Sequence, residues 1–156
     1  MTTTNGTRAL RACARGAQVL LGSFLNLRAT VEAIEQQSPQ HLLLVCSGTH
    51  DQTAYEDVLG AGALCHMLWA RYAAGAVADS AHIARRLFFL EQNDLLAAVM
   101  NSRNGRRLMA HPELRADVPF CLQHDLFRLV AELGKDGAVR AQLPASVASQ
   151  PGATAS

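Results

Sequence analysis

Several short polar segments have the composition of an anion site, and one acidic pair has that of a cation site. The first segment is Asn5-Gly6-Thr7-Arg8. Asn-Gly marks a tight turn. A strand over residues 2–4 followed by a helix from Thr7 would turn free backbone N–H groups toward an anion. Thr7 can cap that helix, and Arg8 adds a fixed cationic fork suited to phosphate or sulfonate. The second segment, Ser47-Gly48-Thr49, closes the apolar run Leu42-Leu43-Leu44-Val45-Cys46. Gly48 permits close backbone approach, and the two hydroxyls can bond phosphate oxygens. Ser23 and Asn26 follow the run Val19-Leu20-Leu21 in the same way, although Asn26 is equally suited to cap a helix. Arg106, beside Arg107, can hold a second anionic group or simply end a solvated helix.

Glu56 and Asp57 open a long helical stretch. Adjacent carboxylates there complement the helix dipole, or they offer oxygens to magnesium, which keeps several waters. Cys46 precedes a Ser-Gly-Thr turn, as a nucleophilic cysteine does. A cysteine phosphatase, however, needs an arginine six residues on to lower the thiol pKa. Position 52 is Gln, so Cys46 reads as a small, buried strand-end residue. No histidine is assigned a catalytic role. His124-Asp125 are helix neighbours that face apart.

These residues need a scaffold. The first half alternates strand and helix: strands over 2–4, 17–23 and 41–46, helices over 7–15, 26–37 and 53–73. The apolar runs read as strands buried on both faces, and such alternation implies a parallel sheet with right-handed crossovers. In an open parallel sheet, ligands bind at the carboxyl ends of the strands, where the polar segments stand. The second half reads as helices over 79–89, 93–100, 105–108 and 117–133, then a short strand over 138–143. The expected fold class is therefore α/β, a three-layer, mostly parallel sheet flanked by helices. One domain over 1–143 is expected, with a disordered Ala/Ser/Pro-rich tail over 144–156.

Composition narrows the classes. The chain has 156 residues and a formal net charge of +1. Its arginines are scattered without interleaved aromatics, so no nucleic-acid partner is expected. No apolar run approaches the roughly 18 residues of a membrane span, and no membrane partner is expected. Four cysteines lie far apart without a Cys-x-x-Cys pair, which suits a reduced, cytoplasmic protein.

The ordered set Thr-Thr-Thr-Asn-Gly-Thr-Arg-Ala, Gly-Ser-Phe-Leu-Asn, Cys-Ser-Gly-Thr, Glu56–Ala63 and Ser102–Leu108 resembles the 2-phosphosulfolactate phosphatase family over roughly residues 2–143. The resemblance implies a magnesium-dependent phosphatase of coenzyme M biosynthesis. Its substrate would be 2-phospho-3-sulfolactate or a similar small phosphorylated acid. Asn5, Gly6, Thr7, Arg8, Ser23, Asn26, Ser47, Gly48, Thr49 and Arg106 would line the phosphate pocket, and Glu56 and Asp57 would hold Mg²⁺. The alternative is a non-catalytic domain that binds an anion or serves assembly.

The resemblance also implies an earlier segment, with further acidic residues, that has no counterpart in this sequence. The expectation is therefore a truncated sheet of about three or four strands, small for its class. Such a sheet would show little phosphatase activity by itself. Its open edge and apolar face favour a homo-oligomer.

Overall fold

The computed structural model describes residues 4–143. The expected strand over 2–4 falls partly outside that range, as does the expected tail over 144–156. Thr4 itself opens a helix.

Among the described residues, seven α-helices and three short strands follow in the order α1 (Thr4–Cys13), β1 (Leu20–Leu21), α2 (Leu27–Gln37), α3 (Tyr55–Tyr72), α4 (Asp79–Glu91), α5 (Leu95–Met100), α6 (Arg103–Met109), α7 (Asp117–Cys121), β2 (Val130–Leu133) and β3 (Val139–Gln142). A 3₁₀ turn, Phe24–Asn26, leads into α2. The fold thus combines helix and strand, but its sheet is antiparallel in the order β1-β2-β3. Leu20 pairs with Glu132, and Val130 with Gln142. This corrects the expected parallel sheet, among the described residues. The runs that read as parallel strands have no parallel partner there, and only Leu20–Leu21 of the first joins a ladder.

The expected strand over 41–46 is not formed: these residues belong to no helix or strand, and no ladder is formed on them. Residues 117–133 are corrected as well. Helix α7 stops at Cys121, Asp125 takes a left-handed φ of 55°, and the chain enters β2. Pairing with both neighbours outweighs the helical propensity of Leu129–Leu133.

The core gathers around Leu59, which is fully buried, with Phe24, Leu27, Val31, Leu64, Leu68 and Phe88. α3 and α4 pack so closely that a Cβ on Gly62 would lie 2.2 Å from the Ala84 carbonyl oxygen. Only glycine allows that approach. The pair packs against α2 and α5 and fixes the first turn of α3, from which Glu56 and Asp57 project.

Asn26 stands at the N-cap position of α2, yet its side chain turns inward. Its amide donates to the carbonyls of Leu21 and Leu129 at 3.1 and 3.3 Å. Its Oδ1 accepts from Ser23 N and Oγ at 2.9 and 3.0 Å. The capping bond comes instead from Asp125, whose Oδ1 accepts from Arg28 N at 2.6 Å. These contacts join β1, α2 and the chain entering β2.

Candidate functional site

Two helix starts and one tight loop converge. Helix α3 begins without a side-chain cap of its own, and Glu56 and Asp57 occupy its first turn. Helix α6 begins at Ser102, whose Oγ accepts from Gly105 N at 3.0 Å. A Cβ on Gly105 would overlap the Val99 carbonyl oxygen at 1.8 Å, so a glycine here seats α6 against α5. That seating turns Asn104 inward, where it is 7% exposed.

The loop 47–52 lies between the two starts. Thr49 and Gln52 exchange backbone bonds at 2.9 and 3.1 Å. His50 and Asp51 between them both take positive φ, the pattern of a type I′ turn. Gly48 also takes a positive φ of 67°, and a Cβ there would lie 2.7 Å from the Gln52 oxygen. Asp57 clamps this loop: its Oδ2 accepts from Gly48 N at 2.7 Å and from Ser47 Oγ at 3.1 Å. Arg8 of α1 reaches the same turn, 2.8 Å from Asp51, with both side chains largely in solvent.

The closest contacts belong to Asn104. Its Nδ2 donates to Glu56 Oε1 at 2.6 Å and to Thr49 Oγ1 at 2.7 Å. The other Glu56 oxygen, Oε2, is buried and has no hydrogen-bond partner. Glu56, Asn104, Arg103, Ser102, Thr53 and Tyr55 line a cleft of ≈ 280 Å³. Arg103 leans over it, Nη2 donating to Thr49 O at 3.4 Å. A buried carboxylate oxygen without a donor calls for a cation or a proton. Glu56 lines the cleft beside the Arg103 guanidinium and Ser102, groups suited to an oxyanion, while its Oε2 is itself closed to solvent.

A larger cleft, ≈ 490 Å³, lies between residues 14–19 and the β2–β3 hairpin. Among its polar groups, Gln18 donates to Glu132, and Arg140 donates to the neighbouring Asp136. It holds none of the residues expected to act chemically.

The structure divides the expected residues. Ser47, Gly48, Thr49, Glu56 and Asp57 come together. Each carboxylate has one oxygen committed, Asp57 Oδ2 to the loop and Glu56 Oε1 to Asn104, and the second oxygen of Glu56 is the buried one. Ser23 and Asn26 form the structural clasp described above. Arg106 is exposed and donates to the Asn101 carbonyl. Asn5, Gly6, Thr7 and Arg8 all lie within α1, so the expected turn before a helix N-terminus is absent. The Asn-Gly turn signal gives way to a continuous helix there.

Asn104 and Arg103 escaped the reading of the sequence, which chose Arg106 from the same segment. Their signal was the spacing Asn104–Leu108, an i,i+4 pair that places Asn104 on the face shared with a core-packed leucine.

Cys46 stands at the surface, not in the core. Partial burial of its thiol pushes the pKa up, and the nearby Asp57 carboxylate and Cys65 push it further. A thiolate nucleophile needs the opposite environment. Among the described residues no group of three His, Cys, Asp or Glu side chains is arranged to hold a metal alone. No helix there is long and apolar enough to cross a membrane.

A family model described as 2-phosphosulpholactate phosphatase matches residues 1–136. A protein of Thermotoga maritima named probable 2-phosphosulfolactate phosphatase is 35% identical over 133 residues, 85% of this chain and 55% of that protein. Proteins with the same name from Thermosynechococcus vestitus and Caldanaerobacter subterraneus are each 34% identical. They cover 83% and 89% of this chain, and 54% and 56% of their own lengths. The chain spans about half the length of these curated relatives.

Proposed function

Because the chain belongs to the 2-phosphosulpholactate phosphatase family, we propose that it carries the Glu56–Asn104 face of a magnesium-dependent phosphomonoesterase site. The substrate is 2-phospho-3-sulfolactate or a similar small phosphorylated acid, in a cytoplasmic route to coenzyme M. The observation that carries this reading is the buried, unpartnered Glu56 Oε2 beside the cleft.

Magnesium is commonly held by one or two carboxylates, with substrate phosphate and water completing the shell. Glu56 would serve as one such ligand, with substrate, water and the further acidic residues that the family resemblance implies supplying the rest. When bound, the ion would draw negative charge from the phosphoryl oxygens. The chain's own groups do the positioning. Asn104 fixes the Glu56 carboxylate through Oε1 and so decides which oxygen stays free. Arg103 offers a guanidinium edge to a phosphate or sulfonate oxygen. Asp57 holds the Ser47-Gly48 loop against the start of α3, which shapes one wall. The four cysteines are unpaired, in keeping with a reduced compartment.

Calorimetry of the purified chain with 2-phospho-3-sulfolactate tests this reading without requiring turnover. Affinity should rise by at least about tenfold when Mg²⁺ is added, the scale of one charge-assisted contact. An affinity indifferent to Mg²⁺ would refute it.

A further inference from the structure

Residues 41–46 lie outside every helix and strand, and none of their backbone N–H or C=O groups makes a hydrogen bond with another described residue. Buried backbone groups are nearly always paired, so these groups are left to water or to a partner that covers them. The side chains alternate as in a strand. Leu42 and Leu44 pack on the core, while Leu43 is 83% and Val45 49% exposed. Five apolar residues in a row also carry the pattern of a strand covered on both faces.

A row of unpaired backbone groups with an apolar outer face is a template for strand addition. The relatives supply an occupant: between 44 and 46% of their length has no counterpart in the aligned part of this chain, taking 56 and 54% as covered.

We infer that Leu42–Cys46 is a docking edge for a β-strand belonging to that unmatched portion, whether joined to this chain or supplied as a second polypeptide. The added strand pairs with the backbone of 42–46, and the layer it brings covers Leu43 and Val45. The occupant is an apolar strand, because the segment carries no charge for it to meet. This inference is independent of the phosphatase reading, since it rests on backbone pairing and not on Glu56.

Hydrogen exchange on the 156-residue chain tests it. The amides of 42–46 should exchange freely in the chain alone. Adding the unmatched portion of the Thermotoga maritima relative as a separate polypeptide should give a one-to-one complex. Exchange at 42–46 should then slow by at least about tenfold. Leu43→Glu, at a solvent-exposed position, should abolish that protection while α3 and α4 exchange as before. No protection in the mixture would overturn the inference. So would concentration-dependent protection in the chain alone, which would show that a second copy fills the edge.

Discussion

Asn104 donates its amide to Glu56 across 2.6 Å, joining the first turn of α6 to the first turn of α3. The same nitrogen holds Thr49 at 2.7 Å, so one buried side chain ties both helices to the loop 47–52. Asn104→Ala leaves a carboxylate with both oxygens unsatisfied. The expected loss is about 1–3 kcal/mol of stability, the cost of stranding a buried polar group. Urea denaturation measures it. A loss below about 0.5 kcal/mol, ordinary for a surface position, would mean the amide holds nothing.

Glu56→Gln keeps the shape and removes the charge. Magnesium-dependent binding of 2-phospho-3-sulfolactate should fall by at least about tenfold. The fold should survive, because a glutamine oxygen can still accept from Asn104. Calorimetry paired with a melting curve separates the two effects.

Cys46→Ser should leave phosphate release within about tenfold of the unsubstituted chain, since a true nucleophile would cost far more. The thiol's raised pKa also predicts its reactivity. Alkylation of Cys46 should be slow at neutral pH, rise with pH as the thiolate forms, and level off only above the ordinary thiol range. Mass spectrometry after iodoacetamide at a series of pH values reads this directly.

Asp136 at the β2–β3 turn accepts from Arg140 at 2.8 and 2.5 Å and from Ala138 N at 3.1 Å. The Arg140 bonds come first, and together these hold the Asp136 pKa well below the usual carboxylate range. A depressed folded pKa stabilises the hairpin above the unfolded pKa, and the effect is lost as pH falls through the folded one. The turn should therefore stay closed at neutral and mildly acidic pH and loosen only in strong acid. The Ala138 amide resonance followed by NMR from neutral to acid should report it. A transition centred in the ordinary carboxylate range would contradict it.

Gly62 and Gly60 share α3 but should respond oppositely to alanine. At Gly62 the new methyl meets Ala84 O at 2.2 Å, and overpacking of about 1–3 kcal/mol is expected. At Gly60 nothing lies within 4 Å, so the reduced freedom of the unfolded chain should stabilise by about 0.4–1 kcal/mol. Thermal melts of both variants compare the signs.

The long helices were legible because their signals are local. Residues 26–37, 53–73 and 79–89 were read from periodicity and end signals, and α2, α3 and α4 occupy those stretches. Glu56 and Asp57 were legible as acidic residues at a helix start. The sheet was not legible, because its order depends on partners far away in sequence. Val130–Leu133 has helix-compatible residues and becomes a strand only through β1 and β3. Leu42–Cys46 has the apolar run of a buried strand, yet it forms none and meets no partner strand among the described residues. Arg106 drew notice as one of an arginine pair. Asn104, two residues before it, is buried by the Gly105 contact, which no composition reveals.

The most direct test of the central claim is phosphate release from 2-phospho-3-sulfolactate. The chain is combined with the unmatched portion of the Thermotoga maritima relative and assayed with Mg²⁺ or with EDTA, as the natural sequence and as Glu56→Gln. The account predicts Mg²⁺-dependent turnover of about 1 per second or more for the natural sequence, within the ordinary range of enzymes. It predicts at least about a hundredfold less for Glu56→Gln, the scale of one lost transition-state contact. Turnover that ignores EDTA, or a Glu56→Gln chain as active as the natural one, would contradict it.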